Sequence, residues 1–235
     1  MNDRRDETDR SDDRRVMDMP GPQDPEPWLA WAREIQSLGQ IIQAFARTEY
    51  DTANGRRLQE IAADMVARRT GLDAAPLVDD FLSQPGYTTP KIDVRAAAVR
   101  PGDRGPEILL VQEAADRRWC LPGGWADVGS VPGDEAAREC EEESGYQVRP
   151  VKVVGVFDAN RGGRPMEFFH AYKLIFLCEI ERGEARASHE TLAVDFFPLD
   201  DPAALPPLSQ NRTNARHLEE IRAHVADPSR AAWFD

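Results

Sequence analysis

Apolar side chains follow two different periods along this chain, and the change between them divides it. Trp28, Trp31, Ile35, Leu38, Ile41, Ile42 and Phe45 recur at steps of three and four, the spacing that lines one face of an amphipathic helix. Leu58, Ile61, Met65 and Val66 predict a second helix ending near Gly71. Leu77, Val78, Phe81 and Leu82 predict a third, ending before Pro85-Gly86. Together they form a small all-helical module over residues 26–88, its Trp-rich stripe suited to a core or a dimer interface. After Thr88-Thr89-Pro90 the period shortens. Residues 94–99 and 108–111 read as strands joined by the turn Pro101-Gly102-Asp103-Arg104-Gly105-Pro106, and 119–121 as a short strand entering a Pro-Gly-Gly turn. Residues 132–144 predict a helix, with Gly145 placed as its C-cap. Strands over 151–157, 171–180 and 194–197 follow, then an amphipathic helix over 211–225. Strands, one central helix, more strands and a last helix predict an α/β class: an α/β/α sandwich on a mixed sheet over residues 89–235.

Composition separates a third region. Residues 1–25 are rich in Asp, Arg and Glu and almost free of large apolar side chains, so they cannot bury enough surface to offset their ordering entropy. An acidic disordered tail is expected there. The whole chain of 235 residues has room for one catalytic domain and a smaller attached module. Its formal net charge of -13 argues against general nucleic-acid binding and against attachment to an anionic membrane. Three widely spaced cysteines, with no CxxC pair, fit buried reduced thiols. No apolar run approaches the ~18 residues of a membrane span, and no signal-peptide core opens the chain. A cytoplasmic location is therefore expected.

The most informative stretch is Leu121-Pro122-Gly123-Gly124-Trp125-Ala126-Asp127-Val128-Gly129-Ser130, followed by Arg138-Glu139-Cys140-Glu141-Glu142-Glu143-Ser144-Gly145-Tyr146. On a helix Glu139, Glu142 and Glu143 stand at i, i+3 and i+4, so their carboxylates share one side. Such crowding is unfavourable unless cations neutralise it, and hard oxygen donors suit Mg2+ or Mn2+. A plain solvated face, with Arg138 pairing Glu142 at i+4, is the competing reading. The Gly123-Gly124 pair ahead of the helix tips the balance, because glycines let backbone approach a ligand closely.

This stretch resembles the Nudix box: Gly, five residues, Glu, seven residues, then Arg-Glu-apolar-x-Glu-Glu-x-Gly-apolar. Gly124 is followed after five residues by Ser130, and after seven more by Arg138-Glu139 and the rest of the pattern. Ser130 is the single departure, standing where the box has Glu. The resemblance implies a Nudix fold and Mg2+-dependent hydrolysis of a pyrophosphate bond in a nucleoside diphosphate derivative, with Mn2+ as a possible substitute. It implies that Glu139, Glu142 and Glu143 hold the cations with the carbonyl of Gly124, and that Arg138 orients a glutamate. The Trp-bearing first helix, Thr89-Pro90-Lys91-Ile92-Asp93-Val94-Arg95 and the closing Trp233-Phe234-Asp235 are similar to a bacterial subgroup with a helical N-terminal Nudix module. That likeness implies CDP-choline as first-choice substrate, ADP-ribose as the alternative, and a homodimer built partly through the helical module.

Outside the box, Glu190 in Ser188-His189-Glu190-Thr191 fits a general base on a later loop, or a surface glutamate. Phe157, Phe168, Phe169 and Tyr172 flank a loop near the expected site, where aromatics could stack on a base or belong to the core, and His170 could hydrogen-bond substrate or be a satisfied structural histidine. Arg95 could point to phosphate or outward into a salt bridge. No His/Cys cluster has zinc-ligand spacing, and no motif for covalent catalysis is present. Two other function classes stay open: processing of RNA ends, which the acidic charge disfavours, and a non-catalytic ligand sensor, which Ser130 brings in and the intact Glu139, Glu142 and Glu143 oppose.

Overall fold

The computed structural model describes residues 27–161 and 169–235. The expected acidic tail and Phe168 lie outside the described residues.

Three helices come first: α1 (Pro27–Ala44), α2 (Glu49–Thr70) and α3 (Ala74–Leu82). Helix α2 starts nine residues before Leu58, the first of the apolar positions that predict it. Its N-terminus is set by a capping box, in which Thr48 and Asp51 satisfy each other's backbone N–H groups. It ends where Gly71 takes the left-handed conformation expected of a C-cap. Helices α1 and α2 cross closely at two glycines: a Cβ on Gly39 would lie 2.6 Å from the Gly55 carbonyl oxygen. The module's small core joins Ala62, Ala63 and Phe81, with Ile35, Leu77 and Val78 packed against it.

The second part is a seven-stranded mixed sheet: β1 (Lys91–Gly102), β2 (Gly105–Glu113), β3 (Trp119–Cys120), β4 (Tyr146–Asp158), β5 (Ala171–Gly183), β6 (Thr191–Pro198) and β7 (Trp233–Phe234). Strands β1 and β2 form a tight hairpin, with Gly102 opposite Gly105. Strand β1 runs parallel to β5, β5 antiparallel to β4, and β4 parallel to β7. Helix α4 (Pro132–Ser144) covers one face of the sheet through Ala136 and Cys140, packed with Val94, Ala96 and Ala98. Helix α5 (Ala215–Ala226) covers the other through Leu218 and Ile221, packed with Ala97, Ile108 and Ile175. This is the expected α/β/α sandwich behind a helical module. Helix α4 has the bounds read from sequence because Pro132 fits its first turn and Gly145 caps it in the left-handed conformation. Every strand except β3 and the short β7 extends beyond its apolar run, since ladder pairing carries polar ends along with it. Strand β7 was absent from the sequence reading.

All three cysteines are buried and free. Among the described residues no helix is long and apolar enough to cross a membrane.

The sheet opens where it matters. Strand β1 pairs with β2 only over residues 99–102, and beyond that the loop after β3 takes β2's place. The amides of Val94 and Ala96 donate to the carbonyls of Gly124 and Pro122, and Ala126 donates to Ile92. The Gly-Gly loop is thereby laid alongside β1 and delivered to the start of α4.

Candidate active site

Gly123 is the pivot of this arrangement. Its φ is +141°, and a Cβ there would sit 2.0 Å from the Val94 carbonyl oxygen, so no other residue fits without moving the loop. Its amide donates to Glu143 Oε2 at 2.9 Å, joining the loop to the last turn of α4. Gly124 lies against Glu139: a Cβ there would be 3.1 Å from Glu139 Oε2.

These residues border a cleft of about 350 Å³, within the range of small-molecule sites. Glu139, Glu143, Glu113 and Glu190 contribute carboxylates to its lining, and Arg95, Lys173 and Arg212 contribute cations. Burial pushes the Glu143 carboxyl up to about 7, against the pull of the Gly123 amide and Arg95, and the neighbouring Glu113 and Glu139 push the same way. Burial also raises Glu139, against the pull of Arg138.

Of the two orientations open to Arg95, the structure selects the inward one. It does not point outward; it is 4% exposed. Its guanidinium forks onto Asp93, with Nε 2.7 Å from Oδ1 and Nη2 2.9 Å from Oδ2, and Nη1 donates to the Leu121 carbonyl. Lys173 stands opposite Asp93 across the β1–β5 ladder and donates to the same carboxylate at 2.8 Å. Two buried cations thus share one buried anion. Burial lowers the Lys173 ammonium to about 8, against the pull of Asp93.

Arg138 sits outside the cleft lining and gathers carboxylates. Its Nη1 binds Glu142 at 2.7 Å, its Nη2 binds Glu139 at 2.7 Å, and Nη2 also contacts Glu135. Glu135 is held low by Arg138 first, with help from the hydroxyl of Ser130. The serine at the departing box position therefore serves the same charge network.

The site residues expected from sequence divide accordingly. Glu139, Glu143, Gly124, Glu190 and Arg95 line one cleft. Glu142 faces away from it, exposed and paired with Arg138 at i+4. Phe157 as a substrate contact is a misplacement: it is fully buried in the core, edge-on to His217 at 4.8 Å. Tyr172 and His170 are not in the cleft lining either. On β5 both neighbours of Tyr172, Ala171 and Lys173, are buried, so the pleat turns Tyr172 outward, and His170 bonds Asp158 at 3.0 Å. The cleft residues that the sequence does not single out include Asp93, Glu113, Trp125, Lys173 and Arg212. Charges at inward strand positions, as at Asp93, Arg95 and Lys173, were the available signal, because a charge inside a strand must be paired.

Among the described residues no three acidic, His or Cys side chains already meet at metal-ligating distance. The donors still suit a hard divalent cation. Mg2+ is commonly held by one or two carboxylates plus substrate phosphate, with water completing its shell, and Glu139 and Glu143 supply two. The Gly124 carbonyl accepts the Val94 N–H at 2.8 Å and keeps one lone pair.

Known proteins agree with this architecture. The NUDIX domain family matches residues 90–219, and the UDP-X-like, N-terminal oligomerisation domain matches residues 26–81. YjhB of Bacillus subtilis (strain 168), named provisionally as an ADP-ribose pyrophosphatase, is 33% identical over 88% of this chain and 97% of its own length. The crystal structure of an ADP-ribose pyrophosphatase from Streptococcus suis is 34% identical and covers 63% of this chain and 100% of its own, with a TM-score of 0.52. A UDP-X diphosphatase structure, 24% identical, shares the fold over 90% of this chain and 100% of its own, with a TM-score of 0.55. On this evidence the chain belongs to the Nudix hydrolase family, whose enzymes work with divalent metal ions.

Proposed function

We propose that the protein hydrolyses the pyrophosphate bond of a nucleoside diphosphate joined to a sugar, with ADP-ribose as first substrate and Mg2+ as cation, Mn2+ substituting. The observation that carries this reading is the charge layout of the cleft. Glu139 and Glu143 stand beside a buried Arg95–Asp93–Lys173 group bearing one excess positive charge. A diphosphate needs both halves of that arrangement: carboxylates for a cation, and a cationic floor for the phosphate oxygens. The names of the Bacillus and Streptococcus relatives support ADP-ribose over CDP-choline, reversing the order drawn from sequence alone.

When bound, the cation supplies neutralisation of the diphosphate and a more acidic water. Arg95 and Lys173 attract the phosphates, and Gly123 fixes the orientation of Glu143. Glu190, in the same lining, accepts the proton of the attacking water. Glu142 acts with Arg138 to hold Glu139 in place.

The test is a panel of ADP-ribose, CDP-choline, ADP and 5'-triphosphorylated RNA, incubated with Mg2+ and read by chromatography. AMP and ribose 5-phosphate should form from ADP-ribose faster than product forms from the others. No nucleoside monophosphate from any arm would overturn the reading, and faster turnover of RNA would replace it.

The homodimer is proposed through the helical module, which resembles an oligomerisation domain and exposes Trp31 and Leu38 on α1 and Phe45 just past its end. Light scattering should give twice the chain mass of 26.3 kDa. A monomer at micromolar concentration would contradict it.

A further inference from the structure

Opposite in character to the charged part of the cleft is an uncharged stretch of its lining: Ala159 just past β4, then Phe169 and Ala171 leading into β5. With the pyrophosphate taken by the carboxylates and cations, this stretch is where a non-phosphate half of the substrate can rest. What fixes it in place is a polar lock on its far side.

Strand β7 adds to the edge of β4, pairing Trp233 with Gly155 and Phe234 with Val156. Only glycine permits this docking, since a Cβ on Gly155 would lie 2.8 Å from the Trp233 carbonyl oxygen. The strand delivers Asp235, whose side chain is 6% exposed, to the end of β4. There its Oδ2 accepts the Asp158 amide at 2.9 Å, and its two oxygens receive the Arg216 guanidinium. Trp233 Nε1 donates to Oδ1 at 3.2 Å. Arg216 is itself held between the rings of Phe157 and Trp233, at 5.4 and 5.2 Å.

From Asp158 the lock reaches the cleft in single steps. Asp158 Oδ1 accepts the Asn160 amide at 2.8 Å and meets His170 Nε2 at 3.0 Å. The Ala159 amide donates to the Ala171 carbonyl at 3.1 Å. A buried carboxylate with four donors in three directions thus sets the turn that places Ala159, and through His170 it ties the residue next to Phe169.

We infer that Asp235, clamped by Arg216, is a positioning residue that fixes the uncharged wall of the cleft and thereby sets affinity for the non-phosphate half of the substrate. This rests on the reading of the cleft as a nucleoside diphosphate sugar site. Asp235 lies outside the cleft lining and touches no reacting group, so its removal should act on KM and spare the chemical step. The Phe157 core position explains itself here too, as the platform under Arg216.

The experiment compares wild type with Asp235→Ala, Asp235→Asn and Arg216→Met. It measures kcat and KM for ADP-ribose and amide hydrogen exchange by mass spectrometry. Asp235→Ala and Arg216→Met should each raise KM about tenfold while kcat stays within about twofold. Asp235→Asn, which keeps one acceptor for Asp158, should fall between them and wild type. Exchange should accelerate at residues 158–161 and 171 and stay unchanged at residues 123–125. An unchanged KM in both Asp235→Ala and Arg216→Met, or an equal fall in kcat with KM unaltered, overturns the inference while leaving the function standing. An inactive wild type overturns the function and the inference with it, and that outcome is separate because it needs no variant.

Discussion

Gly123→Ala isolates the backbone geometry on which the site depends. The added methyl would meet the Val94 carbonyl oxygen at 2.0 Å and the Arg95 Cα at 2.9 Å, both backbone atoms in a strand paired on its other edge. An ordinary carbon–oxygen contact is about 3.3 Å, so the loop must retreat by roughly 1.3 Å. Such a shift breaks or lengthens the bonds from Val94 to Gly124, from Ala96 to Pro122 and from Gly123 to Glu143. At about 1 kcal/mol each, with about 1–3 kcal/mol more for an L-residue held at positive φ, the cost is roughly 4–6 kcal/mol. For a protein of this size that corresponds to a fall in Tm of about 10 °C or more. Gly129→Ala is the matched control: its φ is +97°, but no atom lies within 4 Å of the new methyl, so only the dihedral strain remains. That variant should lose about 1–3 kcal/mol, a fall of roughly 2–12 °C. Thermal melting followed by circular dichroism reads both. Gly123→Ala should also lose turnover, because the Glu143 carboxylate loses its amide anchor. If the two variants melt within about 2 °C of each other, the close approach of loop and strand is not what holds this site together.

Asp93→Asn should be strongly destabilising, by about 3–5 kcal/mol, because it leaves Arg95 and Lys173 buried with no counter-charge. Urea denaturation showing a loss under about 1 kcal/mol would mean that the trio is solvated and the charges were never costly. His217 titrates in the stability itself. Burial first, then Lys173 nearby, lower its pKa to about 3, and its Nδ1 accepts the Asn214 amide, which only the neutral ring can do. The unfolded chain binds a proton near pH 6.5 that the native state refuses. Stability from this residue is therefore complete above that pH and lost as pH falls towards 3, about 2 kcal/mol of it by about pH 5. His217→Gln keeps an acceptor for the cap without titrating. The stability difference between wild type and that variant should shrink by about 2 kcal/mol from about pH 8 to about pH 5. A difference independent of pH would show that His217 is not buried in its neutral form.

The sequence was most legible where local rules and global fold agree. Pro132 and Gly145 bound α4 because each is favoured at its end of a helix whatever the surroundings. The spacing of Glu139 and Glu143 places both in the cleft because a helix brings i and i+4 together. Spacing alone does not separate Glu142 from them; that depends on Arg138, whose long side chain reaches whichever carboxylate the fold leaves outside. Asp93 and Lys173 lie 80 residues apart and meet only through the β1–β5 register, which no local pattern reveals. Strand β7 was illegible for a related reason: two residues have no period, and its pairing depends on the missing side chain of Gly155. Phe157 and Tyr172 were read as neighbours of a loop, when the pleat of each strand decides which side chain faces the core and which the solvent.

In the proposed mechanism Glu139 and Glu143 together hold a divalent cation. Mn2+ titration monitored by electron paramagnetic resonance, on wild type, Glu139→Gln, Glu143→Gln and Glu142→Gln, tests it without any substrate. Binding should be saturable in wild type, weakened about tenfold or more in each of the first two variants and much less in Glu142→Gln. Equal Mn2+ affinity in wild type and in both Glu139→Gln and Glu143→Gln would contradict it.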